Sequence, residues 1–83
     1  MNKTQGVVRY YRGKKQMDCS RIYIIRYWDD KGTDKEICIK EKHDIDATFH
    51  SKDEIEIQTN DNGQITITNL TLGTSIKGKP VIY

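Results

Sequence analysis

The stretch Arg21-Ile-Tyr-Ile-Ile-Arg-Tyr-Trp-Asp29-Asp-Lys-Gly-Thr33-Asp-Lys-Glu-Ile-Cys-Ile-Lys40 decides the fold. A three-residue loop at Asp30, Lys31 and Gly32 predicts Asp29 opposite Thr33, Arg26 opposite Glu36, Ile25 opposite Ile37 and Tyr23 opposite Ile39. Directly opposed residues share one face of an antiparallel pair, so this register brings apolar residues together and sets Arg26 against Glu36. Gly32 supplies the left-handed backbone that a type I turn plus bulge requires. Glu54 to Asn69 reads the same way. A loop at Asp61, Asn62 and Gly63 predicts Thr59 opposite Ile65 and Ile57 opposite Ile67.

Working outward, Gly6 to Arg12 reads as a first strand, with Gly13, Lys14 and Lys15 as a turn or the start of a loop after it. Its two faces, Val8 with Tyr10 and Val7 with Arg9 and Tyr11, are equally mixed, so periodicity does not say which points inward. The 21–40 hairpin carries apolar residues on both faces, which places it in mid-sheet or in a closed barrel. Ile45 and Phe49 are one helical turn apart, and Ser51-Lys-Asp-Glu54 resembles a capping box, so a short helical turn is expected near Asp46 to Ser51. After Ile65 and Ile67 the apolar set jumps to Leu70 and Leu72, which predicts a bulge or bend near Asn69. Gly73 and Gly78 punctuate the tail, and Pro80 restricts Val81, Ile82 and Tyr83 to an edge strand or a packed closing segment.

Composition agrees with an all-β reading. Twelve Ile and three Val stand against two Leu, and branched side chains favour pleated sheet. Only 30 of 83 residues are apolar or Gly, below the roughly 45–50% of typical globular chains, so the core must be thin. The expectation is one domain over residues 1–83: an antiparallel barrel or roll of five to six strands, SH3-like or OB-like, with an open two-layer sandwich as the alternative. Its core would comprise Val8, Tyr23, Ile25, Ile37, Ile39, Phe49, Ile55, Ile57, Ile65, Ile67 and Leu70. No basic leader or apolar run of membrane length is present, so a soluble, cytoplasmic protein without membrane association is expected. The two cysteines lack a disulfide framework, which favours free Cys19 and Cys38 over their pairing.

Charge is the chief functional clue. Residues 1–28 hold seven cations against Asp18 alone, and residues 29–62 hold five cations against eleven anions; Lys77 and Lys79 restore the total of +2. Such segmental asymmetry points to a polyanionic partner or to self-complementary assembly. The basic segment interleaves cations with rings, the two ingredients of a nucleic-acid surface on a small barrel. Arg9, Arg12, Lys14, Lys15 and Arg21 are the expected phosphate contacts, and Tyr10, Tyr11, Tyr27 and Trp28 the candidate stacking platforms. Neighbours in a strand point opposite ways, so these rings cannot all be exposed. A protein-binding module or homo-oligomer, acting through a sheet edge or through the acidic residues Asp53, Glu54, Glu56 and Asp61, is the alternative. Enzymatic, cofactor and metal readings find no motif: His43 and His50 with Cys38 match no zinc spacing and read as solvated loop histidines, and the two Asp-Xaa-Gly turns are hairpin chemistry, not cation loops.

Overall fold

The computed structural model describes residues 2–42 and 48–81. Six strands, β1 (Asn2–Lys15), β2 (Arg21–Asp29), β3 (Asp34–Glu41), β4 (Glu54–Thr59), β5 (Ile65–Asn69) and β6 (Thr74–Pro80), follow one another in the chain. They close into an antiparallel barrel in the order β1-β2-β3-β6-β5-β4. Two three-strand meanders, β1-β2-β3 and β4-β5-β6, are joined so that β4 returns beside β1 and β6 beside β3, a Greek-key connection. The open sandwich is thereby overturned in favour of the barrel.

Both hairpins take the expected register. Arg26 faces Glu36, Ile25 faces Ile37 and Tyr23 faces Ile39, while Thr59 faces Ile65 and Ile57 faces Ile67. Gly32 and Gly63 have φ of 78° and 82°, the left-handed geometry that their loops demand. In the first loop the Asp29 carboxylate accepts from the amides of Lys31 and Thr33, and these bonds hold its pKa below the ordinary value, the Thr33 amide contributing most.

β1 is longer than expected, because Gly13, Lys14 and Lys15 continue the strand and the turn falls at Gln16 to Ser20. Its first half pairs with β4 and its second with β2, and the register shifts between Val8 and Tyr10. Gly6 and Val8 are buried before this bulge, and after it Tyr11 turns inward while Tyr10 and Arg12 turn out. The extra residue flips the parity, which is why neither face of β1 reads as apolar throughout. Val8 donates its amide to Asp53 and accepts from Lys52, so the segment before β4 takes the hydrogen bonds that the bulge leaves over.

The core holds Val8, Tyr23, Ile25, Ile39, Ile55 and Ile67 at zero exposure, with Tyr27, Phe49, Ile57, Ile65 and Ile76 around them. Tyr11 leans on Tyr23 and Phe49 at centroid distances of 6.2 and 5.4 Å. Two expected core residues differ: Ile37 is half-buried at the edge of the cluster, and Leu70 is exposed. Ile24, Tyr27 and Ile76 are buried in addition. No parity jump occurs after Ile67, for Asn69 takes the inward position and its side-chain oxygen accepts from the amides of Thr71 and Leu72. Leu70 and Leu72 thus lie on an exposed turn. Gly78 lies inside β6, where a Cβ would stand 2.1 Å from the Lys40 carbonyl oxygen; the residue marks a close backbone approach, not a break.

Thr48 to Ser51 contains no helix, and the expected turn's Asp46, with Ile45, lies outside the described residues. In place of a capping box, Asp53 accepts from the His50 amide at 2.9 Å and returns its own amide to the His50 carbonyl, with Lys52 at φ 76°. Ile82 and Tyr83 also lie outside the described residues. Val81 donates to the Cys38 carbonyl and extends the β3–β6 pairing by one bond.

Candidate nucleic-acid interface

Register arranges the outer face that β1, β2 and β3 share in four rows. They run Val7–Trp28–Asp34, Tyr10–Arg26–Glu36, Arg12–Ile24–Cys38 and Lys14–Ile22–Lys40, the last continuing to Lys79 on β6. Arg9 sits at the bulge beside the first two. Of the rings expected to stack bases, Tyr10 is 46% and Trp28 39% exposed. Tyr27 and Tyr11 point inward instead: Tyr27 is buried against Gly6, and Tyr11 is half-buried in the aromatic group with Tyr23 and Phe49. Burial also raises the Tyr27 pKa. These two face the core because the β1 bulge and the period of β2 put them there.

The basic end of the sequence is partly folded back on the acidic middle. Arg9 meets Asp34 at 2.7 Å, Arg26 meets Glu36 at 2.8 Å and Lys3 lies 3.9 Å from Glu56. The Glu36 carboxylate raises the Arg26 pKa through its hydrogen bond, and the Arg26 guanidinium lies 5.9 Å from the Tyr10 centroid. The upper two rows therefore present rings among balanced charges. Arg12, Lys14, Lys15 and Arg21 are spread along the lower part of the β1–β2 ribbon, the half-buried Arg21 opposite Lys15 and the other three exposed.

Beyond Lys40 opens a cleft of about 1120 Å³, walled by the Gln16–Ser20 turn on one side and by β6 on the other, with the end of β3 between them. Lys15, Lys40, Lys42, Lys77 and Lys79 line it, together with two carboxylates, Asp18 and Glu41. Both carboxylates are engaged. Glu41 is buried and accepts from the Lys77 amide at 2.9 Å. Asp18 accepts from the hydroxyl and the amide of Ser20 and lies 3.3 Å from the Lys40 ammonium. The Ser20 hydroxyl, then its amide, with help from Lys40, lower the Asp18 pKa to about 2.

Four of these lysines, Lys40, Lys42, Lys77 and Lys79, are not among the sequence candidates. The hairpin register alone sets Lys40 opposite Ile22 and hence in the row of Lys14. The two lysines of β6 join them only through the β3–β6 pairing, for which no local pattern exists.

Cys19 is an exposed free thiol at φ 68° on the cleft's turn, and Cys38 is a free, half-buried thiol whose pKa is raised by burial, then by Glu36. Among the described residues no group of three or more His, Cys, Asp or Glu is arranged to hold a metal ion, and His43 lies outside them. No helix among the described residues is long and apolar enough to cross a membrane. Comparison with known protein families, with curated proteins and with solved structures finds no match to this chain.

Proposed function

We propose that this barrel is a non-enzymatic nucleic-acid-binding domain whose phosphate contacts are centred on the lysine cleft. The observation that carries the reading is convergence: five lysines from three separate segments line one open recess against two carboxylates, Asp18, which shares its charge with Lys40, and the buried Glu41. Ammonium groups so gathered neutralise phosphates and release counterions, the term that dominates nucleic-acid affinity. Arg12 and Lys14 extend the basic surface along the outer face of the β1–β2 ribbon, whereas the half-buried Arg21 stands in the inward row, opposite Glu41 on β3. Arg9 contributes less, since its charge is shared with Asp34. The closed strand order leaves protein recruitment by strand addition no wholly unpaired strand, and the sides of β3 and β6 beyond their two shared pairs are what it would have to use.

The test is fluorescence anisotropy of a labelled oligonucleotide titrated with the intact chain across a salt series. The expected result is a log–log salt slope of several units, with affinity lowered at least about tenfold by Lys77→Glu with Lys79→Glu. Unchanged affinity in that double variant, or no binding by the parent chain at low salt, overturns the proposal.

A further inference from the structure

We infer that the partner is single-stranded nucleic acid, laid along the outer face of β2 with its phosphates in the lysine cleft and its unpaired bases on Trp28 and Tyr10. This rests on the functional reading above and adds the kind of strand and its path.

Three observations lead there. First, the only large exposed rings among the described residues, Tyr10 and Trp28, stand on the same outward face as the row that ends at Lys40 and Lys79. A flat ring has use for a base only where that base is not already paired and stacked in a duplex. Second, charge changes along that face. Around the rings Arg9 and Arg26 are matched by Asp34 and Glu36, whereas the far end gathers lysines. Balanced charge with exposed rings suits bases, and concentrated ammonium suits phosphates. Third, the cationic groups line a recess between a turn and a strand. A flexible single strand can thread such a recess, while a duplex carries its phosphates on a stiff convex cylinder.

The register gives the length. Trp28 and Ile22 are six residues apart on β2, about 20 Å at ~3.3 Å per residue, and Lys40 and Lys79 lie one and two strands further across. A strand that reaches from ring to cleft is a stretch of roughly four to eight nucleotides, within the range of other small barrels.

Four measurements on the intact chain test this. Single-stranded oligothymidylates are expected to bind at least about tenfold more tightly than a duplex of equal length at equal salt. Affinity should rise with length to a plateau near roughly four to eight nucleotides. Tyr10→Ala with Trp28→Ala should lose about tenfold or more for oligothymidylate and leave inorganic polyphosphate binding unchanged, while Trp28→Phe in the parent chain retains most of the affinity. Lys77→Glu with Lys79→Glu should weaken both ligands. If the duplex binds equally well, if affinity climbs with length without a plateau, or if the ring variants are silent while the lysine variant is not, the single-strand path falls and the nucleic-acid reading survives. If the lysine variant leaves oligonucleotide affinity intact, that reading falls as well. Circular dichroism of each variant separates lost binding from lost fold.

Discussion

Asp53 is a buried carboxylate that ties together two neighbours, Asn69 and His50. It accepts from the side-chain amide of Asn69 and from the backbone amide of His50, each at 2.9 Å, with the His50 ring nitrogen 3.6 Å away. The Asn69 bond is the largest influence on its pKa, which lies below the ordinary carboxylate value; burial acts in the opposite sense and is outweighed. Asp29 is lowered by the amides of its own turn, and Asp18 by Ser20. A carboxylate whose pKa is lower folded than unfolded contributes fully above its unfolded value, near 4, and loses that contribution as pH falls through the folded value. In that interval the unfolded chain binds more protons, so stability rises with pH. The melting temperature should be level above about pH 5 and fall between roughly pH 4 and pH 2, with a shallower fall in Asp53→Asn. A melting temperature constant down to pH 2, followed by circular dichroism, would contradict this account of the three carboxylates.

At the scale of strands, the seam between β3 and β6 depends on a missing side chain. Gly78 approaches the backbone of Lys40 and Glu41 so closely that a methyl group would overlap a carbonyl oxygen, which no rotamer change relieves. Gly78→Ala should therefore destabilise by about 3 kcal/mol or more, seen as a lower urea midpoint. Gly32→Ala, whose Cβ would meet nothing within 4 Å, should cost only about 1 kcal/mol, the strain of its positive φ. This contrast also marks what could be read in advance. Both hairpins were legible because turn chemistry and cross-strand pairs are local: Asp29 to Thr33 and Asn60 to Gln64 carry their own instructions. Gly78 looked like punctuation, since its reason is a strand 38 residues away in the chain. Leu70 and Leu72 looked like core because hydropathy cannot foresee that Asn69 fills the inward position and caps the turn. The mixed faces of β1 concealed a bulge, which inverts the very alternation by which a strand is recognised.

Over the whole molecule, the division of charge along the chain is only partly a division in space. The β1-β2-β3 meander lays Arg9 and Arg26 beside the carboxylates of β3, and Greek-key closure lays Lys3 beside Glu56 on β4. The same closure brings Lys77 and Lys79, two residues that only trimmed a sum in the sequence, next to Lys40 and Lys42. Rings were half legible: Tyr10 and Trp28 lie outside, while parity turned Tyr11 and Tyr27 in. The barrel's hoop is fastened at this place by two residue pairs, Ile39 with Pro80 and Lys40 with Lys79, against nine between β1 and β2. Staves joined by so brief an overlap part before the others, and the amide of Val81, bonded to the Cys38 carbonyl, should exchange its hydrogen sooner than the central amides of β2. A polyanion straddling Lys40 and Lys79 then acts as a clasp, slowing exchange at Val81 and raising the melting temperature with ligand concentration. The guest would tighten the vessel that holds it, and Val81 exchange equally fast with and without oligonucleotide would show that the clasp does not close.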